Sequence, residues 1–128
     1  MLEVLAAPEG VVAMRAAGRV DAADVERGIA AVEQALKSHA RVAIYAEIDI
    51  SGMTPRALLK DIGYGLSKFS ELRRFWRAAV VTDQRWVRWI ASVEGALFPI
   101  EVRVFVLAEK ETAMAWASER PAPEPNAT

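Results

Sequence analysis

The polar residues best placed for chemistry lie where apolar segments of the sequence end. Asp49 and Ser51 lie at the end of one apolar run, Thr54 lies just beyond them, and Asp83 and Arg85 follow a later run. In an open α/β sheet, ligands bind beyond the carboxyl ends of the parallel strands, where helix N-termini converge. Two carboxylates there could bind a cation or act in acid–base catalysis, but no further ligand and no nucleophile accompanies them. The alternative interpretation of Thr54 and Asp83 is structural, since each precedes a predicted helix and can cap it.

Composition removes several classes of chemistry. The chain has 128 residues, no cysteine, a single histidine, His39, and a formal net charge of −1. Without cysteine there is no thiol catalysis or zinc–thiolate site, and a lone histidine argues against a multi-histidine metal site or a Ser/His/Asp triad. A near-neutral chain also lacks the global basic field that holds nucleic acid. We therefore expect a non-enzymatic protein that needs no metal and no cofactor and binds no nucleic acid.

The sequence also bears on location. Residues 1–4 carry neither the basic region nor the long apolar region of a secretory signal. No apolar run reaches the roughly 18 residues of a membrane span. We expect a cytoplasmic protein without a transmembrane segment.

Hydrophobic periodicity predicts alternating strands and helices. Two short apolar runs, 2–6 and 11–17, flank a Pro-Glu-Gly turn and indicate an antiparallel hairpin. A helical pattern follows from Asp21. After it, apolar runs at 42–50, 78–82 and 101–107 each precede a further helical pattern, the first of which opens at Thr54-Pro55.

This order predicts an α/β fold of one domain over residues 1–120. We expect a five-stranded mixed sheet, with the N-terminal hairpin antiparallel and the remaining strands parallel, covered by about four helices. Residues 121–128 hold three prolines and no apolar pattern, so they are expected to form a flexible tail.

Glu47 is an acidic residue inside the otherwise apolar 42–50 strand. By strand alternation it shares a face with Ala43 and Tyr45. A buried carboxylate must be paired or hydrogen-bonded, or must face a cavity. It would therefore either form a salt bridge with an arginine of a covering helix or act as the polar anchor of a ligand pocket.

Two predicted helices carry more large apolar side chains than short strands usually require. They could form an ordinary core or the wall of a pocket for a small hydrophobic ligand. The candidate pocket residues, with Glu47, are Leu58, Ile62, Leu66, Phe69, Trp86 and Ile90. Tyr64, on the polar side of its helix, and Phe98, in a predicted loop, are candidates for contact with a protein partner or a second copy.

Arginine and aromatic residues alternate between Arg73 and Trp89, as on some nucleic-acid surfaces. A helical wheel places Trp86 within the apolar arc of its helix and Trp89 near one margin. Stacking on bases requires exposed rings. We therefore predict core tryptophans, with a cation–π contact between Arg85 and Trp89.

Two stretches carry a family resemblance. Asp49-Ile50-Ser51-Gly52-Met53 resembles the strand-to-loop segment of STAS domains, the fold of anti-sigma-factor antagonists. Thr82-Asp83-Gln84-Arg85-Trp86, the strand from Glu101 to Phe105 and the last helix are similar to the SpoIIAA-like branch grouped as STAS/SEC14 domains. The resemblance implies a small bacterial mixed-sheet domain with no established enzymatic activity, and the SEC14-like label implies a lipid-like ligand as an alternative.

The chain departs from the STAS pattern at the phosphorylation switch. Anti-sigma-factor antagonists carry a phosphorylated serine in an Asp-Ser-Ser-Gly type segment, and the corresponding stretch here is Thr54-Pro55-Arg56-Ala57-Leu58. Only Ser51 and Thr54 offer nearby hydroxyls. We therefore expect a STAS-like interaction or regulatory module, or alternatively a hydrophobic-ligand binding protein, and disfavour a phospho-regulated anti-sigma-factor antagonist.

Overall fold

The computed structural model describes residues 1–69, 71–95 and 100–119, and of residues 93–95 it describes the backbone alone. Predictions about Phe98 and the 121–128 segment lie outside the described residues. No helix within these ranges is both long enough and apolar enough to cross a membrane.

The described chain forms one five-stranded sheet and four α-helices. The strands follow the order β1-β2-β3-β4-β5; β1 is antiparallel to β2, and the remaining neighbours are parallel. The predicted α/β architecture is confirmed. The elements are β1 Leu2–Leu5, β2 Val11–Gly18, α1 Ala22–Ser38, β3 Val42–Ile50, α2 Pro55–Ser67, β4 Phe75–Val81, α3 Arg85–Gly95, β5 Glu101–Phe105 and α4 Lys110–Ser118. Short 3-10 turns at Leu72–Arg74 and Leu107–Glu109 precede β4 and α4.

The helices divide between the two faces of the sheet. The connections from β2 to β5 all advance in one direction, so right-handed crossovers place α1, α2 and α3 on the same face. There Val32 of α1 packs with Val12, Val42 and Phe75. The chain then returns as α4 across the other face. We call these two sides the α1–α3 face and the α4 face.

The hydrogen bonds of Asp24 tie the start of α1 to the edge strand β1. Asp21 caps the helix through a capping box with Asp24, which is buried and also accepts from the Leu2 amide at 3.1 Å and from Nη1 of Arg27 at 2.7 Å. The hydrogen bond from the Asp21 amide, followed by the one from Arg27, holds the pKa of the Asp24 carboxyl well below its usual range.

Strand β4 begins earlier than the sequence pattern predicts, at Phe75 instead of Ala78. Its pairing with β3 shifts register, since Phe75 lies opposite Val42 while Arg77 lies opposite the next residue, Ala43. Trp76 is therefore the extra residue of a β-bulge, which resets side-chain alternation. Phe75 packs on the α1–α3 face, whereas Trp76 joins the core of the α4 face. The residues immediately before Ala78 are arginines and aromatics that do not alternate between polar and apolar, so the sequence pattern does not predict that the strand begins at Phe75.

Arg77 fastens α4 to the sheet. Its guanidinium carbon lies 4.2 Å from the ring centroid of Trp76 and 4.4 Å from that of Trp116. Nη1 donates to the Trp116 carbonyl at 2.7 Å and to Oε2 of Glu119 at 2.6 Å, while Nε lies 3.5 Å from Oε2 of Glu101. The bulge makes this arrangement possible because it turns Trp76 and Arg77 to the same face.

We predict that Arg77→Ala lowers the free energy of unfolding by about 2 kcal/mol, because it removes two stacking contacts and two charge-assisted or carbonyl hydrogen bonds. Chemical denaturation measures the loss. The matched control is Arg103→Ala, since Arg103 is exposed and lies farther from Trp116, at 5.6 Å. Equal losses in the two variants would contradict the anchoring role of Arg77.

Candidate functional site

The carboxyl ends of β2 to β5 form the edge at which the sequence predicts a ligand site; we call it the carboxyl edge. Gln84 joins two of its loops. Its side-chain Nε2 donates to the Ile50 carbonyl at 2.7 Å, and its Oε1 accepts from the Ile50 amide at 2.9 Å. The side-chain amide thus provides the donor and the acceptor that a neighbouring strand would provide. The loops after β3 and β4 are held together by this pair of bonds.

Further hydrogen bonds connect the loops after β4 and β5. The Thr82 amide donates to the Phe105 carbonyl, and the Thr82 hydroxyl accepts from the Gln84 amide. Oδ1 of Asp83 accepts from the Leu107 amide at 2.9 Å. The predicted capping role of Asp83 is therefore wrong. Helix α3 begins at Arg85, with Gln84 at the N-cap position, and the Asp83 side chain instead reaches the turn after β5.

The remaining candidates at the carboxyl edge differ in their surroundings. Thr54 caps α2, as predicted, because its hydroxyl accepts from the Ala57 amide at 3.1 Å. Asp49, Ser51 and Arg85 are exposed. Within the described ranges, no three side chains of the metal-ligating types come together. The structure thus uses Thr54, Asp83 and Gln84 to close its own loops.

Glu47 lies on the α4 face, together with Tyr45 as alternation predicts. It accepts a hydrogen bond from the Tyr45 hydroxyl at 2.8 Å, and Tyr45 is itself almost completely buried. Burial, and then the hydrogen bond to Glu47 and its charge, raise the pKa of Tyr45. The ion pairs among the described residues do not include Glu47. Since α2 and α3 cover the opposite face of the sheet, the prediction that Glu47 anchors a pocket between those helices is wrong.

Helix α2 lies between α1 and α3, but it is only loosely packed. The Tyr64 hydroxyl donates to Oε1 of Glu26 in α1 at 2.6 Å, so this side of α2 faces α1. Leu59, Ile62 and Leu66 lie on the opposite side and therefore face α3. No described side chain of α2 is fully buried, and Ile62 is 40% exposed. We call the surface where α2 and α3 lie side by side the α2–α3 groove.

Helix α3 supplies the other wall of this groove. Val87 and Ile90 are buried against the sheet, and Trp86 is half-buried. Because α2 and α3 run parallel, the side of α3 that faces α2 carries Trp86 and Trp89. Trp89 is 68% exposed, so the prediction that it belongs to the core is wrong. Among the described residues, the cation–π contacts involve Lys68, Arg77 and Arg103, not the predicted Arg85.

The predicted pocket residues therefore separate into two groups. Phe69 packs edge-to-face on Phe75, with ring centroids 5.2 Å apart, and Ile90 is buried, so both belong to the core. Leu58 is partly buried at the sheet-facing centre of α2. Ile62, Leu66 and Trp86 border the α2–α3 groove, which lies on the other side of the sheet from Glu47. Tyr64 is 44% exposed, and its contact with a partner stays a prediction.

A shallow cavity of about 220 Å³ lies elsewhere, near the C-terminal ends of α1 and α2. Leu36, Lys68, Phe69, Glu71 and Arg74 line it. The guanidinium of Arg74 is already engaged, because it donates to the carbonyl oxygens of residues 36, 39 and 40 and so completes the end of α1. The guanidinium that lines this cavity is therefore already used to cap α1 and is not free to bind a ligand.

Sequence reasoning missed three side chains that organise the molecule: Arg74, Arg77 and Gln84. Arg74 and Arg77 belong to the arginine-rich run, and Gln84 lies with Asp83 and Arg85 at the end of a predicted strand, but the sequence predicts no contact for any of the three. All three make contacts with residues more than thirty positions away in the chain. No local signal in the sequence specifies such partners.

Comparisons with known proteins agree with this architecture. The family model described as SpoIIAA-like matches residues 11–118, so the chain belongs to the SpoIIAA-like family. A solved structure of an uncharacterized protein from Shewanella loihica PV-4, of the DUF3478 family and described as having a SpoIIAA-like fold, is similar to this chain. It has a TM-score of 0.65 and 21% sequence identity over 91% of this chain and 92% of that one. A search of curated proteins found no match.

We predict that Gln84→Ala lowers the free energy of unfolding by roughly 1–2 kcal/mol, because the amide and the carbonyl of Ile50 lose their partner. Urea denaturation measures the loss. Gln34→Ala is the matched control, since Gln34 is exposed in α1 and the same atoms are removed. The closure of the carboxyl edge by Gln84 would be contradicted if both variants were as stable as the unmodified protein.

Proposed function

We propose that this SpoIIAA-like chain is a non-enzymatic interaction module that works through the surface of its helices. The observation that carries the proposal is the contrast between two surfaces. At the carboxyl edge, Thr54, Asp83 and Gln84 satisfy the chain's own backbone. Along α2 and α3, in contrast, Ile62 and Trp89 are exposed. A large exposed aromatic beside other apolar side chains is typical of protein-binding surfaces.

The free energy gained by removing exposed apolar area from water favours a binding partner for this surface. Exposed single apolar residues are ordinary, but Leu59, Ile62 and Trp89 border one groove. Covering them removes apolar area from water at about 25 cal/mol per Å². The buried anchors Val87 and Ile90 already hold α3 on the sheet, so Trp89 is available for another molecule.

Photo-crosslinking tests the proposal. A benzophenone amino acid is placed in separate variants at exposed positions on three helices: Ala30 in α1, Ile62 in α2 and Ala115 in α4. We expect at least one position to give a discrete adduct in cells of the source organism, suppressed by an excess of the unmodified domain. Light scattering after size exclusion reports self-association. A monomer that gives no competable adduct at any of the three positions would contradict the proposal.

A second candidate function is the binding of a small hydrophobic molecule. It is favoured by the loose packing of α2, none of whose described side chains is fully buried. Such a ligand would lie in the α2–α3 groove against Ile62, Leu66 and Trp86, and without Glu47, which lies on the other face of the sheet.

Native mass spectrometry tests this second candidate. Freshly purified protein should carry an added mass that is lost on denaturation, and Leu66→Asp should remove that mass while leaving the fold intact by circular dichroism. Ser67→Asp is the matched control, because Ser67 is exposed on the outer side of the same helix. Consistently empty protein that no hydrophobic compound stabilises thermally would exclude this function.

A further inference from the structure

The α2–α3 groove combines an exposed apolar strip with positive charge. The strip consists of Leu59 and Ile62 on α2 and Trp89 on α3, which are 36%, 40% and 68% exposed. Arg56 and Lys60 lie on the outer surface of α2, one helical turn apart, and Arg56 borders Leu59. Both cationic side chains are exposed, so the apolar strip has a cationic border on the α2 side.

The α3 side of the groove also places an exposed cation beside an exposed apolar side chain. Arg85 is exposed and lies four residues before Trp89, on the same side of α3. The acidic residue of α2, Asp61, lies instead on the side of that helix that faces α1, near Tyr64. Arg56 and Arg85 lie in the first turns of two parallel helices, where the helix dipoles add positive potential, and Lys60 follows Arg56 one turn later. The exposed carboxylates of Asp49 and Asp83 at the carboxyl edge offset part of this potential.

This local charge differs from that of the whole chain. Helices α2 and α3 contain four lysine and arginine residues against two aspartate and glutamate residues, whereas the whole chain contains 16 against 17. The remainder of the chain is therefore acidic. An anionic membrane would attract α2 and α3 but repel the rest of the molecule, so charge complementarity favours a compact acidic partner over an extended anionic surface.

The shape of the groove specifies the partner further. Helix α2 has 13 residues, which corresponds to a length of about 20 Å. A depression between two parallel helices accepts the ridge of a third helix, and an amphipathic helix binds such a groove with apolar residues at i, i+3, i+4 and i+7. We propose that the α2–α3 groove binds an amphipathic helix of a partner protein, with Trp89 as the central apolar contact and with carboxylates at the end of that helix nearest Arg56, Lys60 and Arg85. The proposal rests on the proposed interaction function and names its surface and the chemistry of its partner.

Selection from matched peptide libraries tests this proposal. Both libraries display helices of about four turns with one apolar face. In one library the residues at one end are Asp and Glu, and in the other they are Lys and Arg. We expect the acidic library to yield binders and the basic library to yield none. Equal enrichment from the two libraries, or enrichment from the basic one alone, would overturn the proposal.

Variants locate the binding surface. Fluorescence anisotropy with a selected acidic peptide should show that Trp89→Ala weakens binding about tenfold or more, as for a central interface aromatic. Reversing two charges, with Lys60→Glu and Arg85→Glu, should weaken binding further and reduce its salt dependence. The controls are Leu107→Ala and Lys110→Glu, exposed residues outside the groove that should leave the affinity unchanged. Thermal unfolding should show that Trp89→Ala folds normally, since this side chain is mostly exposed.

Two results would overturn the groove proposal without overturning the interaction function. The first is an acidic peptide whose affinity is unaffected by Trp89→Ala. The second is Trp89-dependent sedimentation with vesicles of phosphatidylcholine and phosphatidylglycerol in the absence of any peptide binder, which would assign the same surface to anionic lipid. In either case, a competable crosslink at Ala30 or Ala115 would still support an interaction module that uses another face.

Discussion

Right-handed connection of parallel strands is the constraint on which this structure depends. From β2 to β5 the chain advances across the sheet in one direction, so α1, α2 and α3 are forced onto one face. The other face is left to α4, a helix of nine residues. Because α4 is short, it needs a strong attachment, which Arg77 provides between Trp76 and Trp116. The β-bulge that turns Trp76 and Arg77 to the same face makes this attachment possible.

The same constraint distinguishes the carboxyl edge, whose loops are hydrogen-bonded to one another, from the surface of α2 and α3, where apolar side chains are exposed. Parallel strands end together at the carboxyl edge, and there Gln84 bonds to both backbone groups of Ile50 while Asp83 accepts from Leu107. Of the three helices that cover the opposite, α1–α3 face, in contrast, the middle helix α2 has no fully buried side chain among its described residues. The exposed strip along α2 and α3 follows from this geometry. In this member of the SpoIIAA-like family, the helical layer is therefore the better candidate for binding than the strand ends.

Local patterns in the sequence predict the order of the elements well. The continuous apolar run of β3 and the Thr54-Pro55 signal for α2 correspond closely to the structure. Such local patterns do not predict contacts between elements that are distant in the sequence. Alternation correctly groups Glu47 with Tyr45, but only the path of the chain decides which helices cover that face. A helical wheel places Trp89 at a margin, yet its exposure depends on how closely α2 approaches.

Native-state hydrogen exchange measured by NMR tests the central claim, that the carboxyl edge is closed and that α2 is loosely held. We expect the amides of Ile50, Gln84 and Leu107 to exchange only through opening of most of the sheet. The amides in the middle of α2 should exchange through a local opening of clearly lower free energy. Protection of α2 equal to that of the sheet, combined with fast exchange at Ile50 and Leu107, would contradict the account.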